Sequence, residues 1–220
     1  MTRETLTSMD GFAFEVERIQ ASGARKGGLI LIQEIFGLNS FVMTMGNRFA
    51  AEGYEVVMPS MFDRQEKGFT REGHDEEAIA TGVAHAQANG RDAAMADIGT
   101  CIAALEGPVF ITGFCYGGSM AYLAACELDG LAAASCYYGG LLPTLKSLSP
   151  NCPTIAHFGY TDPHIPVEGA EAFMTARKEV PTYFYDAGHG FAREGDDYAP
   201  EADALAMQRT LDLFEAALIR

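Results

Sequence analysis

Six short apolar runs punctuate the chain, at residues 28–35, 54–58, 108–112, 131–138, 154–158 and 182–185. Each is cut off by glycine, proline or an acidic residue, and most are continuously apolar rather than alternating. Such runs suit central parallel strands covered on both faces. Between them lie helix-like stretches at 40–51, 92–105, 117–127, 167–178 and 202–219. In the last, Leu205, Met207, Leu211, Leu213, Phe214 and Leu218 fall close to one amphipathic stripe. The alternation predicts a doubly wound, mostly parallel α/β sheet of about seven to eight strands, with helices on both faces. The segment around 12–16 reads as an antiparallel edge strand. With no internal repeat and no long linker, residues 1–220 are expected to form a single domain.

The pattern breaks at 61–91, a polar stretch rich in Asp, Glu, Arg and Lys with little apolar content before Ala78. It reads either as a solvated loop and helix or as a lid over the strand ends, since long loops in compact α/β domains are often functional.

Composition narrows the function classes. Apolar residues make up 48% of the chain and charged ones 20%, which suits a large core and excludes a disordered chain. No run approaches the ~18 apolar residues of a membrane span, and the first ten residues carry no secretory pattern. A cytoplasmic address is therefore expected. Thirty acidic residues against 15 basic ones give a net charge of −15, which disfavours nucleic acid and anionic membranes as partners. Cysteines stand at 101, 115, 126, 136 and 152 without a Cys-x-x-Cys pair. Neither a zinc site nor a disulfide framework is expected, and no cofactor is called for.

One cysteine is different. In Gly113-Phe114-Cys115-Tyr116-Gly117 a predicted strand runs straight into a predicted helix, the nucleophile-elbow pattern with cysteine in place of serine. Small residues two before and two after are required because the central residue is strained and strand and helix pass closely. The sulfur then sits at a helix N-terminus, where thiolate is favoured. A base and an orienting acid are needed. His189 lies in a glycine-flanked loop after the last predicted strand, and Asp162 follows the fifth. Asp186, three residues before His189, is a poorer partner. The order 115, 162, 189 is nucleophile, acid, base, as in α/β hydrolases.

These segments together resemble the dienelactone hydrolase (carboxymethylenebutenolidase) family of cysteine α/β hydrolases. The resemblance is carried by Gln33-Glu34-Ile35-Phe36-Gly37-Leu38-Asn39, Gly113 to Gly118, Tyr137-Tyr138-Gly139, Asp162 in its loop, and Gly188-His189-Gly190-Phe191-Ala192-Arg193. It implies the α/β-hydrolase fold, the triad Cys115, Asp162 and His189, and an oxyanion hole from the backbone N–H groups of Ile35 and Tyr116. It further implies that Glu34 pairs with Arg193 at rest and takes the thiol proton when an anionic substrate claims that arginine. Arg193, Phe36 and Tyr137 are the implied substrate contacts, and a monomer is the implied state. Ile79 stands where the best-known members carry a second arginine, with Val83 and Ala86 at the places of lid aromatics; Arg71 or Arg64 are the local substitutes.

The expected activity is thus hydrolysis of a lactone or carboxylic ester through a thioester acyl-enzyme. Two rivals are a glutamine-amidotransferase-like enzyme and a non-catalytic thiol protein. The first usually carries glutamate two residues after the histidine, where Phe191 stands here, and the second has no need of Asp162.

Overall fold

The structure, a computed structural model, describes residues 1–219. Eight strands and five helices lie along them, alternating from β3 except where β7 follows β6 directly, and the chain divides into two compact units, Met1–Ile111 and Thr112–Arg220. The division falls within β5 (Val109–Phe114).

In the first unit the strands are β1 (Thr2–Thr7), β2 (Ala13–Ile19), β3 (Gly27–Ile32) and β4 (Tyr54–Pro59), in the spatial order β1-β2-β4-β3. β3 and β4 are parallel, and all six residues of β3 are buried, as the unbroken apolar run requires. β2 pairs antiparallel with both β1 and β4, so it is internal and not the expected edge strand. The edge is β1, which the apolar pattern misses because its residues are polar or partly exposed. It is held by cross-strand charges: Arg3 faces Glu17 with Nε 2.6 Å from the carboxylate, and Arg18 reaches Glu4 at 3.0 Å. A charged edge also discourages pairing with other chains.

Helix α1 (Ser40–Ala51) has the predicted bounds and packs on β2, β3 and β4. The side chain of its cap, Asn39, accepts the Val42 N–H at 3.2 Å, satisfying one of the orphan donors of the first turn. Helix α2 (Glu76–Ala103) is much longer than the expected 92–105, because half of the polar segment is helical. Asp75 caps it by accepting the Ala78 N–H at 2.8 Å, Glu76 and Glu77 complement its N-terminal dipole, and Gly90 (φ +68°) kinks it. The remainder of the segment is strapped onto the loop that follows β3. Arg71 N–H donates to the Phe36 carbonyl at 2.8 Å, Asn39 Nδ2 donates to the Arg71 carbonyl, and the Phe36 and His74 rings meet edge to face at 4.4 Å. Gly82 of α2 lies so close to this loop that a Cβ there would stand 2.2 Å from the Ile35 carbonyl oxygen.

The second unit holds β6 (Leu131–Tyr137), β7 (Thr154–Gly159) and β8 (Thr182–Tyr185), parallel and in that order, with α3 (Tyr116–Glu127), α4 (Val167–Ala176) and α5 (Pro200–Leu218). α3 packs on β6, and α5 on β6 and β7. Its core includes Phe114, Tyr122, Tyr137, Tyr138, Phe158, Phe173, Phe191 and Phe214. The sheet is mostly parallel with helices between its strands, as the run spacing predicts. Among the described residues no helix is long and apolar enough to cross a membrane.

Candidate active site

The elbow has the backbone its sequence demands. Cys115 follows β5 and caps α3 with φ +55° and ψ −112°, a region that non-glycine residues rarely occupy. Gly113 is obligatory, because a Cβ there would fall 2.4 Å from the Gly117 carbonyl group. The strain is held by hydrogen bonds on both sides: Cys115 N–H donates to the Tyr137 carbonyl at 3.1 Å, and Ser119 N–H donates to the Cys115 carbonyl at 3.2 Å. The sulfur-bearing residue is part-exposed. Of the other thiols, Cys101 and Cys136 are buried, and burial raises the pKa of both; it lifts Cys126 to about 11 and raises Cys152 as well.

Asp162 lies in the turn after β7 with its side chain wholly buried. Its Oδ1 accepts the N–H groups of His164 and Ile165, at 2.7 and 3.0 Å. Its Oδ2 lies 2.8 Å from His189 Nδ1. A carboxylate fixed by three donors is a rigid anchor, and with Nδ1 turned to it, Nε2 is the ring nitrogen left for sulfur. His189 also hydrogen-bonds Cys115, 74 positions earlier in sequence. Burial alone would lower the His189 pKa. The hydrogen bonds to Asp162 and Cys115, with their charges, outweigh it and lift it to about 10. Asp186, the alternative acid, is exposed.

Arg193 is largely covered. Its own N–H donates to the Gly190 carbonyl at 2.8 Å, its guanidinium curls back over Gly190, and Asp197 lies 3.9 Å from Nη2. Glu34 and Ile35 leave β3 just past its last residue, and both are buried or nearly so, as is Phe36. Tyr116 is the first residue of α3. Tyr137 does not suit the role of a substrate contact. Its side chain is fully buried and its hydroxyl is 2.8 Å from Thr210 Oγ1, so its contribution to the elbow is the backbone carbonyl beneath Cys115. Arg64 is no stand-in for a second substrate-binding arginine, because it is bound to buried Asp97 at 2.6 Å and to Asp10 at 2.7 Å. Arg71 rests over the Phe69 ring, near Glu66. Ile79 and Val83 are exposed on the first half of α2.

Two neighbours of His189 escape a search for motifs. Tyr138, strained at φ +36°, lays its ring 5.0 Å from the imidazole on one side, and the His164 ring stands edge-on at 5.0 Å on another. Tyr138 stands in a segment already noted, but only strand pairing reveals where its ring goes. His164 is two residues from Asp162, a spacing that by itself does not distinguish it from a surface histidine. Among the described residues no cluster of His, Cys, Asp and Glu has a metal-binding arrangement.

Comparison with known proteins agrees with this architecture. The model of the dienelactone hydrolase family matches residues 14–218. The carboxymethylenebutenolidase of Pseudomonas sp. strain P51 is 28% identical over 209 residues, covering 90% of this chain and 88% of the relative. That of Pseudomonas putida is 28% identical over 221 residues, covering 94% and 93%. A solved candidate dienelactone hydrolase from Klebsiella pneumoniae subsp. pneumoniae MGH 78578 superposes with a TM-score of 0.83 at 25% identity, over 97% of this chain and 98% of that one. With the family model spanning nearly the whole sequence and the fold shared end to end, this chain is a hydrolase belonging to the dienelactone hydrolase family.

Proposed function

We propose that the protein hydrolyses a lactone or carboxylic ester of dienelactone type through Cys115, His189 and Asp162, by way of a thioester acyl-enzyme. The observation that carries this reading is the single imidazole hydrogen-bonded to both the elbow cysteine and a buried carboxylate.

Beside a Cys115 thiolate and the Asp162 carboxylate the His189 pKa is raised to about 10, so in that charge state the ring is an imidazolium. Glu34 is the residue the family resemblance assigns as acceptor of the thiol proton. In this reading Glu34 takes the proton and Cys115 thiolate, facing the imidazolium, attacks the substrate carbonyl. The oxyanion is held by the N–H groups of Ile35 and Tyr116, an effect typically worth ~3 kcal/mol per donor. The C–O bond breaks as His189 gives its proton to the leaving oxygen, or as a dienelactone leaves as its own basic enolate. Neutral imidazole, or that enolate, then deprotonates water, and hydroxide cleaves the thioester. Glu34 returns its proton to sulfur, so that ester and water become acid and alcohol with the enzyme unchanged.

Arg193 and Phe36 are the proposed substrate contacts, and the arginine favours substrates bearing a carboxylate. The protein acts in this reading as a cytoplasmic, cofactor-free monomer. The test is Cys115→Ala, assayed on dienelactones and on p-nitrophenyl acetate. The substitution is expected to abolish turnover with the fold intact, and iodoacetamide to abolish the acyl burst of the wild type. Unchanged turnover in the variant would end the proposal.

A further inference from the structure

Beneath the triad lies a buried polar cluster that the reaction does not use. His157 of β7 is fully buried, and its ring packs against Tyr137 at 4.5 Å and Tyr183 at 5.7 Å. Its two nitrogens are bonded to different elements. Nδ1 is 2.8 Å from the Tyr185 hydroxyl on β8, and Nε2 is 3.1 Å from Ser135 Oγ on β6 and 3.3 Å from Thr210 Oγ1 on α5.

The direction of each bond follows from the donors. A guanidinium can only donate, so Arg209 Nη1 gives to the Tyr185 hydroxyl at 3.0 Å. The Tyr185 proton is then best placed on Nδ1, 2.8 Å away, which makes Nδ1 the acceptor. The ring proton is therefore on Nε2, which donates to Ser135. At the far end Thr210 Oγ1 gives its single proton to the Ala206 carbonyl at 2.9 Å, and so accepts from both Ser135 Oγ and Tyr137 hydroxyl, each at 2.8 Å. A one-way chain runs from Arg209 through Tyr185, His157 and Ser135 to Thr210, with no donor used twice. A second proton on His157 would set two N–H groups against the Tyr185 oxygen. Burial and the Arg209 charge also oppose it, lowering the pKa to about 3.

The residues tied together are those from which the reactive groups project. The Tyr137 carbonyl carries the Cys115 N–H. The His157 carbonyl accepts from Tyr138, whose ring rests on His189. The Tyr185 carbonyl accepts from Tyr160 and Ala187 at 2.8 and 2.9 Å, and the Ala187 carbonyl accepts from Thr161. Those last two bonds open the loops that bear Asp162 and His189. We propose that His157 is a positioning residue for the triad, an Nε2–H imidazole that fixes the spacing of the ends of β6, β7 and β8 through this one-way chain. The inference rests on the triad reading given above.

The test uses Arg209→Met and Tyr185→Phe, which remove the head of the chain and leave Cys115, Asp162 and His189 untouched. Arg209 is only half-buried on α5, so its loss does not threaten folding. Each variant is expected to lower kcat about tenfold with KM within about twofold, because alignment and not binding is lost. Long-range nitrogen–proton NMR of the wild type should show His157 neutral with its proton on Nε2 from pH 5 to 8. An Nδ1–H or doubly protonated His157, or wild-type kcat in a folded Arg209→Met, would overturn the inference. Cys115→Ala run alongside separates the outcomes. Turnover surviving in it sinks the triad reading itself, whereas a dead Cys115→Ala beside a fully active Arg209→Met sinks only the positioning role.

Discussion

Two histidines in one unit are driven in opposite directions, and pH reads both. His189 is lifted to about 10 despite its burial by Asp162 and Cys115, whereas His157 is pushed to about 3 by burial and then by Arg209. An unfolded histidine titrates near ~6.5. His189 therefore contributes stability that is complete below about pH 6.5 and is lost as pH rises from there through about 10, since the folded state holds a proton the unfolded chain releases. For His157 the unfolded chain binds a proton that the folded state refuses, so stability falls as pH drops from about 6.5 to about 3. Each group contributes a slope of at most about 1.4 kcal/mol per pH unit. Unfolding free energies from urea titrations across pH should accordingly show a shallower acid limb in His157→Phe, by one proton. Equal slopes in variant and wild type would mean that His157 is not neutral in the fold.

Elements differ in how openly the sequence declares them. The buried parallel strands and α1 are legible because their apolar runs are unbroken and end at glycine, proline or a capping asparagine. The first half of α2 is hidden because its alanines and polar residues are mixed around the helix without an apolar stripe, so tertiary contacts hold it in place. Its start was nevertheless written in Asp75-Glu76-Glu77, a capping residue followed by acids. β1 is hidden for a different reason, being stabilised by charge pairs across the strand rather than by burial. The contact of α2 with the post-β3 loop makes a sharp prediction from two glycines of one helix. In Gly82→Ala the new Cβ meets the Ile35 carbonyl oxygen at 2.2 Å, whereas in Gly99→Ala it meets nothing within 4 Å. The first should cost ~1–3 kcal/mol by overpacking, together with activity, because the Ile35 peptide must move. The second should gain ~0.5–1 kcal/mol of helix propensity and leave turnover alone. Thermal melts and steady-state assays of the pair decide it, and equal effects at both sites would refute the close approach.

At the scale of the molecule, the reactive groups were legible because the α/β-hydrolase plan attaches each to a strand end, and strand ends are marked by sequence punctuation. Cys115, Asp162 and His189, the proposed triad, each follow such punctuation, and the His189 imidazole bonds both of the others. Side-chain direction was not legible. Tyr137 adjoins the elbow in sequence pattern yet turns its ring into the core, and Arg64, an apparent spare cation, is spent on Asp97 and Asp10. Pairings of this kind depend on residues distant in the chain, such as Thr210 on α5, which no local window contains. The central chemical claim is a covalent bond between substrate acyl group and the elbow sulfur. Acid-quenching the enzyme within milliseconds of mixing with excess p-nitrophenyl acetate, followed by intact-mass measurement and peptide mapping, reads that bond directly. The account predicts one added acetyl group per chain, located on Cys115 and absent from Cys115→Ala. An unmodified Cys115 during active turnover, or an acetyl group on another residue that Cys115→Ala retains, would contradict it.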